Sequence, residues 1–129
     1  MTWTGELLVP SPTDVLKPNA ADVAAKLFEG EAIIMNLKTG MYFSADRVGA
    51  AVWELVEAGC SLGSIASSLA ERFEVSAAQA MEDLERLSQQ MLGEGLVVVS
   101  QEAAFAPPTR QEMARLSYEP PTLQRYDDM

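Results

Sequence analysis

Glu82, Asp83 and Glu85 are the nearest this sequence comes to a proton-moving group. Paired carboxylates can serve as general acid and base. These three fall in a stretch with helical spacing, where clustered charge ordinarily forms a solvated face. No other catalytic centre offers itself. The 129 residues contain no histidine, which removes Ser-His and Cys-His nucleophiles and the commonest metal ligand. Cys60 is the single cysteine, so an internal disulfide and a Cys/His zinc site are both unavailable. No glycine-rich phosphate loop occurs. The residues therefore predict a protein that is not an enzyme, with no catalytic residue, no metal site and no cofactor.

Charge narrows the partners. The chain carries 19 acidic and 9 basic residues, a net charge of −10. Such a protein repels a polyanion unless a local basic patch offsets it, and none is visible. There is no run of 18 apolar residues, so no membrane span is expected. Met1 to Glu6 lacks the basic start and apolar stretch of a signal peptide. Neither nucleic acid nor membrane is expected as a partner, and the cytoplasm is the expected location.

The elements follow from spacing. Residues 1–14, with Pro10 and Pro12, read as a lead-in. Residues 15–99 read as one domain. Val15 to Pro18 looks like a short edge strand, because proline cannot donate to a ladder. Asp22 to Phe28 alternates, placing Val23, Ala25 and Leu27 on one face. A hairpin is predicted from Ala32–Leu37 and Met41–Ser44. Lys38-Thr39-Gly40 between them suits a type I turn closed by a glycine bulge. Three helices come next. Val48, Val52, Trp53, Leu55 and Val56 stripe the first, and Gly59 stops it. Ser61 caps the second, striped by Leu62, Ile65, Ala66, Leu69 and Phe73. Ser76-Ala-Ala-Gln79 is a capping box that opens the third. Ala77, Ala80, Met81, Leu84, Leu87 and Met91 stripe it, and Gly93 and Gly95 end it. Leu96 to Val99 can pair as a strand. Residues 100–129 read as a C-terminal appendage, with a short helix from about Thr109 to Leu116.

Strands followed by three short helices describe an α+β winged helix-turn-helix. In that fold the third helix would enter a DNA groove. Here residues 76–94 carry Arg86 alone against Glu82, Asp83, Glu85 and Glu94. Gln79, Gln89 and Gln90 can read bases, but the cations that grip phosphates are missing. The alternatives are therefore a regulatory or assembly module and, with less support, a DNA-binding protein.

Several words occur in a telling order. They are Gly40-Met-Tyr-Phe-Ser-Ala45, Val48-Gly-Ala-Ala-Val-Trp-Glu-Leu55, Gly59, Ile65-Ala66, Leu69, Phe73-Glu-Val75, Asp83-Leu84 and Leu92-Gly-Glu-Gly-Leu96. Through them Lys26 to Val98 resembles the PqqD family, the recognition element for ribosomally made, modified peptides (RiPPs). The resemblance implies a small antiparallel three-stranded sheet packed on three helices. It implies a non-catalytic peptide chaperone that binds the leader of a precursor by β-strand addition. The partner enzyme would be a radical-SAM protein, as in PQQ biosynthesis, or a protease or cyclase. The edge strand would be Met41, Tyr42, Phe43 and Ser44. Tyr42 and Phe43 point to opposite faces, so one lines the groove and the other enters the core. Asp83, Leu84, Leu87, Gln90 and Met91 lie along neighbouring faces of the third helix, divided between core and guest. Asp83 would meet a basic or hydroxyl group of the leader, or be solvated.

The tail carries a second resemblance. Tyr118, Pro121 and Leu123 match the Tyr-x-x-Pro-x-Leu leader motif of many lasso-peptide precursors, although Asp127 stands where the longer motif has glycine. The tail is thus either an untethered, mostly disordered segment or a built-in ligand for a leader groove. An exposed strand edge, or a swapped tail, would also permit a homodimer.

Overall fold

A computed structural model describes residues 12–28, 30–100, 104 and 116–126. The lead-in up to residue 11 and the helix expected near 109–115 lie outside the described residues.

The chain forms an α+β structure of three helices and two antiparallel sheets. β1 (Val15–Pro18) pairs with β5 (Val97–Ser100), with Pro18 opposite Val97 at the end of the ladder. The larger sheet has the order β2 (Val23–Phe28), β3 (Glu31–Asn36), β4 (Tyr42–Asp46), β6 (Gln124–Tyr126). The resemblance implied three strands here. The fourth, β6, comes from the tail and adds beside β4.

Alternation places the sheet. Along β3, Ala32, Ile34 and Asn36 are buried, while Ile33 and Met35 are half-exposed. On β4, Phe43 and Ala45 enter the same core. Helix α1 (Arg47–Glu57) covers that face with Val48, Val52, Leu55 and Val56. Trp53 is buried with them, and its Nε1 donates to Glu57 Oε2 at 2.9 Å. The caps expected at Ser61 and Ser76 are present. Ser61 Oγ accepts from the Ser64 amide of α2 (Leu62–Arg72) at 3.2 Å. Ser76 Oγ accepts from the Gln79 amide of α3 (Ala77–Gly93) at 3.1 Å. The capping box is not closed in the usual reciprocal way, because the Gln79 side chain turns to Asp83 instead.

The hairpin depends on one buried amide. Asn36 Oδ1 accepts from the amides of Lys38 at 2.9 Å and Thr39 at 3.2 Å, the pattern that lets asparagine shape a turn. Gly40 then takes φ 81°, a left-handed conformation that costs glycine little. Asn36 Nδ2 donates to the Glu94 carbonyl at 3.0 Å, which ties the hairpin to the end of α3. Replacing Asn36 with alanine should lower stability by about 1–3 kcal/mol, since three backbone groups lose their partner. A urea titration with the midpoint reduced and the slope unchanged would show this. An unchanged midpoint would remove the amide from the account.

Candidate functional site

The candidate site lies between β4 and α3. Phe43 is buried, so Tyr42 and Ser44 stand on the opposite, outer face of the sheet. This resolves which aromatic enters the core. On α3, Leu84 and Met91 turn fully inward. Asp83, Leu87 and Gln90 line a shallow cleft of about 170 Å³, together with Arg86. The other wall of that cleft is Pro120, Pro121 and Thr122.

Asp83 is not part of a solvated face. It is 4% exposed, and three donors converge on its carboxylate. Gln79 Nε2 and Arg86 Nη1 reach Oδ1 at 3.1 and 3.2 Å, and Tyr118 Oη donates to Oδ2 at 2.6 Å. A buried carboxylate is tolerable when so satisfied. Sequence spacing hides this, because the third donor lies 35 positions away.

The tail follows the groove from end to end. Leu116 opens it with two backbone bonds, donating to the Arg72 carbonyl and accepting from the Glu74 amide, each 2.8 Å. Arg47 Nη2 donates to the Ser117 carbonyl at 2.9 Å. The Tyr118 ring meets Phe73 edge-on, with centroids 6.4 Å apart. Pro121 is buried, and Leu123 packs against the hydrophobic core. β6 then pairs antiparallel with β4, matching Ser44 to Gln124, Phe43 to Arg125 and Tyr42 to Tyr126. Arg125 Nε ends the series 3.7 Å from Glu94 Oε2. The three leader-like residues Tyr118, Pro121 and Leu123 are therefore all in contact with the domain.

Gly49 makes room for this path. A Cβ there would sit 2.8 Å from Ala45 Cβ and 3.2 Å from the Thr122 carbonyl oxygen. An isolated glycine inside a helical pattern was the available signal for such a close approach. Arg47, Phe73, Gln79, Arg86 and Glu94 were not singled out for the groove, and nothing in local spacing marks them.

A larger cleft of about 300 Å³ lies elsewhere, lined by Leu27, Gly30, Glu31, Arg47, Ala50, Ala51 and Glu54. Its strand residue Glu31 is already paired with Phe28 and with Asp46. Leu27, also in its lining, belongs to β2, which stands at the opposite edge of the larger sheet from β6. Cys60 is buried, and burial pushes its thiol pKa up, away from a reactive thiolate.

Comparison with known proteins agrees with the resemblance. Residues 31–97, just over half of the chain, match the family model described as Coenzyme PQQ synthesis protein D (PqqD). This chain belongs to the PqqD family. No curated relative matches it. Among solved structures, TbiB1 in complex with the TbiA(beta) leader peptide shares the fold. The likeness has a TM-score of 0.59 and 24% identity, covering 67% of this chain and 98% of that one. No helix among the described residues is long and apolar enough to cross a membrane.

Two outcomes are expected at this site. Burial, then the hydrogen bond and the charge of Asp83, raise the Tyr118 pKa well above the ordinary tyrosine value. Docking thus favours the neutral phenol. Its contribution is complete below a pH of about 10 and is lost as pH climbs through the raised pKa. In an alkaline titration followed by tyrosinate absorbance, Tyr118→Phe should delete the latest-titrating step; deletion of an ordinary step would count against the contact. Gly49→Ala should destabilise by about 1 kcal/mol or more despite alanine's better helix propensity, because Ala45 cannot yield. A thermal midpoint that rises in this variant would show that the helix shifts freely.

Proposed function

We propose that this chain is a non-catalytic adaptor that captures the leader of a ribosomally made precursor peptide and presents it to a modifying enzyme. The guest adds as a strand on β4 and lays its side chains against α3. One observation carries the reading. The β4 edge takes an extended segment as a fourth strand, while Asp83 receives a hydroxyl from that same segment. Backbone bonds of this kind supply affinity for any extended peptide, and the cleft beside Asp83, Leu87 and Gln90 supplies selection. Family membership and the leader-bound TbiB1 support it.

The partner enzyme in this reading is a radical-SAM protein, a protease or a cyclase, and the setting is cytoplasmic. The fold is read as a winged helix-turn-helix whose reading face has been given over to peptide. Charge favours peptide over nucleic acid. Arg86 is the one basic residue of α3, and it is engaged with Asp83 at 3.2 Å. A free helix cation for a phosphate is therefore lacking.

Titration with leader peptides of precursors encoded beside the gene is the direct test. Amide resonances of residues 41–44 and 83–91 should shift together. In a chain whose tail is released by Leu123→Asp, Asp83→Asn should weaken the best such peptide about tenfold or more, since charge-assisted bonds contribute about 1.5–3 kcal/mol. Shifts confined to other segments, with every such peptide, would sink the proposal.

A further inference from the structure

The groove described above already holds a strand of its own chain. Leu116 to Tyr126 makes backbone bonds at both ends of the path, through Arg72 and Glu74 at one and β4 at the other. Between them lie a buried proline, a leucine on the core and a 2.6 Å bond to a buried carboxylate. These contacts use the same β4 edge and the same α3 residues that a leader would need. Two strands cannot pair with one edge of β4 at once. We propose that Leu116–Tyr126 is a tethered competitor, so that a precursor peptide binds only by displacing it. This inference rests on the peptide-capture reading and adds regulation to it.

The tether gives the argument its magnitude. Residues 101–115 join β5 to the docked segment. Covalent attachment through a link of so few residues holds the segment at about millimolar effective concentration. A segment whose free form binds at about 10 μM would then be docked about 99% of the time. An external peptide of equal intrinsic affinity would bind about 100-fold more weakly than to an open groove. A guest therefore succeeds by matching the three anchors better than the tail does, or by arriving joined to an enzyme that binds this domain elsewhere.

The experiment uses the full chain and a synthetic peptide with the sequence of residues 116–126. Leu123→Asp places a charge against the core and should release the tether while leaving the β4 and α3 walls unaltered. Tyr118→Phe removes only the hydroxyl, and covers the case in which the stronger change impairs folding. The peptide should bind Leu123→Asp on the order of 100-fold more tightly than the unaltered chain, with Tyr118→Phe between them. Equal, measurable affinity for all three chains would overturn the competition and leave peptide capture standing. No binding to any of them would overturn peptide capture itself, and this inference with it. A gain that appears only as the unaltered protein is diluted from dimer to monomer would overturn the intramolecular form, assigning the tail to a second copy.

Discussion

A strand has two edges, and each edge is a row of backbone donors and acceptors that needs partners. β4 gives one edge to β3 and the other to β6. Most of what is distinctive in this molecule is arranged around that second edge. α1 packs behind it, and Gly49, lacking a side chain, lets the incoming backbone pass close by at Thr122. α3 flanks it and supplies Asp83. The Arg72–Glu74 turn between α2 and α3 fixes where the incoming segment begins. An unpaired edge of this kind invites aggregation, and here β6 covers it.

The polar groups around the edge form a connected set. Asp83 binds Gln79, Arg86 and Tyr118, so a cap residue, a helix cation and the tail share one carboxylate. Glu94 does similar double work at the other end. Its carbonyl accepts from Asn36 of the hairpin, and its side chain lies near Arg125 of β6. The hairpin, the end of α3 and the fourth strand are thus held in one register. These contacts sit at the border of an apolar core built from residues such as Phe43, Trp53, Leu55, Ile65, Leu69 and Leu84.

Local chemistry made much of the fold readable in advance. Lys38-Thr39-Gly40 specified its turn, Ser61 and Ser76 specified helix starts, and stripes of Leu, Val and Ile specified the buried faces. What escaped the sequence was non-local. β6 reads Gln-Arg-Tyr, too short and polar to show a period, and it becomes a strand only because β4 offers an edge. Asp83 looks solvated within Glu-Asp-Leu-Glu-Arg, yet it is buried because Tyr118 arrives from far along the chain. The groove residues of β4 and α3 were named from the family resemblance. Their division, with Phe43, Leu84 and Met91 inward and Asp83, Leu87 and Gln90 at the cleft, needed three dimensions.

The covalent link between β5 and the docked segment also bears on timing. Closing a loop of about ten residues takes roughly 10–100 ns, whereas typical association between molecules runs at about 10⁵–10⁷ M⁻¹s⁻¹. At about 1 μM a neighbouring molecule arrives only after about 0.1–10 s by that rate. A departing guest would therefore be followed by the tail long before another molecule could find the bare strand. If a guest takes this edge as proposed, its partial detachment would let the tail re-enter from Leu116, and the residence time of that guest would depend on the sequence of Leu116–Tyr126.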